Sequence, residues 1–110
     1  MMNITTEKID NFSVLNIDGR IDSSNFTVFE EEINRILSNS VTNIIFNCKG
    51  LNYISSSGLR VFLVAQKKII SLKGRLYLCN MQPAIKEIFS ISGFSNIFRI
   101  FDTLEEALEV

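Results

Sequence analysis

No histidine occurs anywhere in this chain, so the commonest general base near neutral pH and the commonest metal ligand are both missing. Cysteine is scarce. Cys48 and Cys79 stand alone without CxxC spacing, each closing an apolar run (IIFNC and RLYLC), as buried reduced thiols do. Charge of one sign is also lacking: the formal net charge is −1, which offers no basic field to hold nucleic acid or an anionic membrane. Long hydrophobic runs are absent, since Val61 to Ala65 falls far short of the roughly 20 residues of a membrane span. The first residues, MMNITTEK, have no apolar signal core, and the expectation is a cytoplasmic protein. There are no repeats, linkers or low-complexity tracts.

What is present is enough for one packed domain over residues 1–110. Hydrophobic residues make up 46% of the chain, nine of them phenylalanines, which argues for a core and against disorder. Ile4 to Ile9 and Ser13 to Ile17 read as two strands joined by an Asp10-Asn11 turn, with Gly19 ending the second. Phe26, Phe29, Ile33, Ile36 and Leu37 recur on one face of a helix, and Ser23 or Ser24 can cap it. Val41 to Cys48 reads as a strand buried on both sides. A helix over residues 57–72 turns Leu59, Phe62, Ala65, Ile69 and Leu72 inward and stops at Gly74.

Arg75 to Cys79 is a further strand. Pro83 opens a helix striped by Ile85, Ile88, Phe89 and Ile91 and ending at Gly93. A short strand, Phe98 to Phe101, and a capping box at Thr103 to Glu106 complete the chain. The order β-β-α-β-α-β-α-β-α predicts an α/β fold with a mostly parallel mixed sheet, an N-terminal antiparallel hairpin and about four helices.

In such sheets, ligands and partners meet the loops at the carboxyl ends of the strands. Two loops qualify, Gly19 to Ser24 and Asn52 to Gly58; if their strands are parallel neighbours, Asp22 comes near three consecutive serines, Ser55, Ser56 and Ser57. Enzyme signatures fail here. Ile54 stands where a G-x-S-x-G nucleophile elbow needs glycine, and neither Gly50 nor Gly58 has the neighbours of a P-loop. Ser57 has Arg60 three residues on, where a Ser-x-x-Lys pair needs lysine. Two readings of the serines stay open. They cap a helix, as serine often does, or one of them accepts a phosphate, which a helix N-terminus tolerates. Asp22 is equally open between capping and partner contact. Arg60, one turn after Ser57, is either solvated or able to pair with a phosphate there.

Ile54-Ser55-Ser56-Ser57-Gly58-Leu59, with Gly19-Arg20-Ile21-Asp22 upstream on this element order, resembles the STAS-domain family, and within it the anti-sigma factor antagonists. Pro83 and Gly93-Phe94 match as well, so the resemblance covers nearly the whole chain. It implies a non-enzymatic, cofactor-free binding module acting in transcription regulation. Unphosphorylated, such a module binds an anti-sigma factor that is also a serine kinase, releasing the sigma factor; phosphorylation ends the complex and a phosphoserine phosphatase resets it. The family's phosphoserine carries over to Ser57 and its upstream aspartate to Asp22. Ser55, Ser56, Gly58 and Arg60 complete the implied partner surface, with Gly58 leaving room for a partner's backbone. The sequence departs from the pattern at Ser55, where many relatives carry aspartate, and Ser56 is the alternative acceptor. The competing function is a constitutive STAS scaffold or regulatory subunit of a transporter or signalling assembly. A small-ligand or nucleotide-binding role and an unrecognised enzyme are the remaining alternatives.

Overall fold

A computed structural model describes residues 2–110 and gives one five-stranded sheet in the order β1-β2-β3-β4-β5. Strands β1 (Met2–Ile9) and β2 (Phe12–Ile21) are antiparallel; β3 (Asn43–Ile54), β4 (Arg75–Cys79) and β5 (Arg99–Phe101) continue parallel to β2. The hairpin turns at Asp10, whose φ of +54° supplies the positive dihedral of tight hairpins. Helices α1 (Phe26–Ser38), α2 (Ser56–Ser71), α3 (Pro83–Ile91) and α4 (Leu104–Leu108) follow β2, β3, β4 and β5 in turn. A single 3-10 turn, Phe94–Asn96, lies between α3 and β5.

The main core lies on the face covered by α1, α2 and α3. Phe29, Phe46, Phe62 and Phe89 are fully buried there, their rings meeting at centroid separations of 5.1–5.6 Å, within the range of favourable aromatic pairs. A smaller core on the opposite face packs Phe12, Val14, Ile45, Tyr77 and Cys79 with Ala107 of α4. The rest of that face is polar. Asn80 donates to Asn47 Oδ1 (3.1 Å), Asn47 to Asn16 Oδ1 (2.8 Å), and Asn16 to Glu7 Oε2 (2.9 Å), a row of hydrogen bonds from β1 to the end of β4.

The central position of β3 agrees with the sequence reading, and Ile44, Ile45 and Phe46 are fully buried. Several local readings need correcting. Gly19 does not end β2; it takes a φ of +96° within the strand, which continues to Ile21. The third strand runs past Cys48 to Ile54, because β3 twice takes one residue more than β2. Asn16 pairs with Asn47 but Asp18 with Gly50, and Gly19 pairs with Leu51 but Arg20 with Tyr53. These bulges keep Cys48, Leu51 and Ile54 on the helical face at a spacing of three.

At the α2 C-terminus the left-handed residue is Lys73 (φ +61°), and its N–H and that of Gly74 close a Schellman pair onto Ile70 and Ile69. Gly74 is needed for a different reason: a Cβ there would lie 1.9 Å from the Thr42 carbonyl oxygen. Leu72 and Ile91 were expected to face inward, but both are exposed, Leu72 as the C-cap of α2 and Ile91 as the last residue of α3, where the helical stripe ends. Ile88, Phe94 and Phe101 are only partly buried.

Candidate functional site

The loops after β2 and β3 share one edge of the sheet, because those strands are parallel neighbours with Ile21 paired to Ile54. One further hydrogen bond, Ser55 N–H to the Ile21 carbonyl at 2.9 Å, ties the serine turn to the residue before Asp22. The proximity expected of the two loops is therefore present in the backbone.

The three serines do different jobs. Ser55 is the N-cap of α2, and its hydroxyl accepts from Gly58 N–H at 3.2 Å, the N-cap to N3 bond that satisfies one of a helix's free donors. Aspartate caps equally well, so Ser55 keeps the geometry of the motif without its charge. Ser56 and Ser57 open the first turn, and neither hydroxyl has a hydrogen-bond partner among the described residues. Capping thus accounts for one serine and leaves two hydroxyls uncommitted. Both line an open depression of about 400 Å³ with Arg60, Val61 and Val64 of α2 and Phe26 and Glu30 of α1. Arg60 is exposed and forms no ion pair among the described residues.

Gly58 is buried, and the space left by its missing side chain is occupied by the chain itself. A Cβ would meet Ile21 Cγ2 at 2.7 Å and Ile54 Cγ1 at 2.8 Å. Its absence lets the first turn of α2 sit directly on the ends of β2 and β3, which fixes where Ser57 is presented. The room foreseen for a partner's backbone is filled from within.

Asp22 is not the N-cap of α1, and neither is Ser23 or Ser24. The N-cap residue is Asn25, whose side chain accepts from Asp22 N–H (2.9 Å) and donates to the Arg20 carbonyl (2.9 Å), folding the loop back on itself. The Asp22 carboxylate accepts from the Ser24 hydroxyl (2.6 Å) and the Ser24 N–H (3.0 Å). Those two bonds, then the nearby Arg20 guanidinium, hold its carboxyl below the usual carboxylate value. Its side chain is not among those lining the serine depression.

The sequence reading missed two residues at this edge. Arg20 lies over the Tyr53 ring, 4.2 Å from guanidinium carbon to ring centroid, with its Nε 3.6 Å from Asp22 Oδ2. The pair is in register across β2 and β3. Tyr53 is 41% exposed, which makes it the one aromatic among the exposed large hydrophobic side chains described. No sequence signal links them: Arg20 and Tyr53 each directly precede the isoleucine that docks against Gly58, a relation that only the strand register reveals. Cys48 and Cys79 are buried and free; burial raises both thiols, Cys79 to about 12. No group of three or more potential metal ligands is found among the described residues.

Comparison with known proteins matches this architecture. The STAS domain model matches residues 3–107. BtrV of Bordetella bronchiseptica, named as a candidate anti-sigma factor antagonist, is 34% identical over 106 residues, covering 96% of this chain and 91% of its own. The anti-sigma factor antagonist SpoIIAA in its unphosphorylated form superposes with a TM-score of 0.84 at 25% identity, covering 97% of this chain and 94% of that one. Phosphorylated SpoIIAA from Bacillus superposes at 0.77 with 24% identity, covering 97% of each chain. An anti-sigma factor antagonist from Mycobacterium paratuberculosis shares the fold at a TM-score of 0.91 and 21% identity, over 99% of this chain and 92% of its own. The chain belongs to the STAS-domain family, among the anti-sigma factor antagonists.

Proposed function

We propose that this protein is a phosphorylation-switched anti-sigma factor antagonist whose acceptor is Ser57. Family members are binding modules rather than enzymes, and the partner class that membership implies is an anti-sigma factor. One observation carries the finer reading: at the serine turn Ser55 does the capping, leaving the Ser57 hydroxyl unbonded at the first turn of α2 beside an open depression. In the transfer, Ser57 Oγ attacks the γ-phosphorus of ATP held by the kinase. The bond to the bridging oxygen breaks, ADP leaves, and the hydroxyl proton passes to a base on the kinase.

The product carries about −1.5 to −2 charges at neutral pH, placed against free N–H groups and the positive end of the helix. The fold tolerates this, as the shared architecture of phosphorylated and unphosphorylated SpoIIAA supports. The partner surface does not, since it is built around a neutral hydroxyl. Ser56, Arg60 and Asp22 border that surface, Gly58 seats the turn beneath it, and a phosphoserine phosphatase restores it.

The test is incubation with ATP and the purified anti-sigma factor serine kinase encoded nearest this gene, followed by phosphosite mapping. Ser57 gains the phosphate, and Ser57→Ala binds the kinase but resists modification. Full-stoichiometry phosphorylation of Ser57→Ala would move the acceptor to Ser56 or elsewhere. A wild-type chain that never gains phosphate would favour the constitutive scaffold.

A further inference from the structure

We infer that two guanidinium groups bracketing the serine turn, Arg20 on the sheet side and Arg60 on the helix side, form a receptor for an acidic segment of the anti-sigma factor. The inference rests on the reading of this edge as the antagonist surface and specifies the chemistry of what docks there.

The evidence is in where these two arginines stand and how each is held. Arg35 is paired with Glu32, and Lys86 with Asp102. Arg75 donates toward Asn43 and Val110, and Lys68 donates to Asn34. Lys8, Lys49, Lys67 and Lys73 form no side-chain hydrogen bond or ion pair among the described residues, so a free cation is not rare in this chain; what marks the serine edge is two planar guanidinium forks beside one turn. Arg20 meets Asp22 with its Nε 3.6 Å from Oδ2, and its two terminal nitrogens donate no hydrogen bond among the described residues. Its guanidinium rests over the Tyr53 ring, a contact that reduces the side-chain freedom left to lose on binding. Arg60 stands at the depression with Ser56 and Ser57, and the one carboxylate lining that depression, Glu30, forms no ion pair with it. Planar forks with free donors match carboxylates, and tyrosine and arginine are both enriched among the residues that dominate interface energetics.

The switch then has a specific electrostatic sense. Ser57 and Arg60 are i and i+3 on one helix, so a phosphate on Ser57 lies within reach of the Arg60 fork. Phosphorylation would occupy Arg60 within the chain and set a negative charge before the partner's carboxylates. One event removes an attraction and adds a repulsion.

The experiment measures affinity of the full chain for the purified anti-sigma factor encoded nearest this gene, by calorimetry, for wild type, Arg20→Gln, Arg60→Gln and the double variant. Both side chains are exposed, so melting temperatures should match wild type. Each single change should weaken binding about tenfold, and raising salt from about 50 to 500 mM should weaken wild type far more than the double variant. Arg20→Lys should recover less than half of the loss, because it keeps charge without the fork or the stack. Wild-type affinity and salt dependence in the double variant, or tighter binding, would overturn the inference while leaving the Ser57 switch intact. A wild-type chain that binds no anti-sigma factor would end the parent reading and this one together.

Discussion

Gly58→Ala is the sharpest available test of how the serine turn is held. In an exposed helix this change stabilises, since alanine is favoured over glycine by about 1 kcal/mol in a helix interior. Here the new methyl would lie 2.7 Å from Ile21 Cγ2 and 2.8 Å from Ile54 Cγ1, two contacts on different strands. Both isoleucines are buried and branched at Cβ, so neither rotates away cheaply. Overpacking of this kind costs about 1–3 kcal/mol, which exceeds the propensity gain. The net expectation is a loss of about 1 kcal/mol, read as a fall of roughly 5 °C in melting temperature for a domain this size. The first turn of α2 should lift from the sheet end, and Ser57 phosphorylation should slow as well. Thermal denaturation of the two proteins decides the matter: a melting temperature at or above wild type would refute the claim that Gly58 is a packing glycine.

Four further outcomes follow from the same geometry. Ser55→Ala should cost about 0.5–2 kcal/mol in chemical denaturation, the range for a lost N-cap, while Ser55→Asp should retain most of it. Ser57→Asp should melt as wild type does and lose the anti-sigma factor in a pull-down, which separates charge from folding. Asp22→Ala should weaken partner binding or phosphorylation in a chain whose circular dichroism is unchanged; wild-type binding would confine Asp22 to organising its own loop. Burial raises both thiols above their unfolded values, so above about pH 9 the unfolded state sheds protons that the native state keeps. Stability then falls as pH rises, by up to about 1.4 kcal/mol per pH unit for each thiol. A Cys48→Ala/Cys79→Ala protein should show a shallower alkaline limb in denaturant titrations.

Much of this fold was legible because its signals are local. The stripe of Phe29, Ile33 and Ile36, Pro83 at its helix start and the Thr103–Glu106 capping box each occupy the position read for them. The far ends of β2 and β3 were not legible, because the bulges change the buried spacing from two to three and a positive-φ glycine sits mid-strand. A period-two pattern stops at Cys48 even though the strand does not. The α1 cap was misread for a related reason: Asp22 and Asn25 satisfy each other's loop, leaving Ser23 and Ser24 outside the helix. At the candidate site, the serine turn and Asp22 were visible as motif. The Arg20–Tyr53 stack was not, since the two are 33 positions apart and meet only through register.

The amide row across the open sheet face acts as a combination lock. Asn80, Asn47 and Asn16 point the same way, each amide donating to the next until the Glu7 carboxylate receives the last. Sliding any one strand by a residue would place a side chain of opposite facing at that rung and strand an amide on either side. Apolar side chains of similar size would cover the strands but forfeit this check, and would leave a flat greasy surface open to other chains. The row therefore guards against mispairing and clumping together, on the face that the larger helices leave bare.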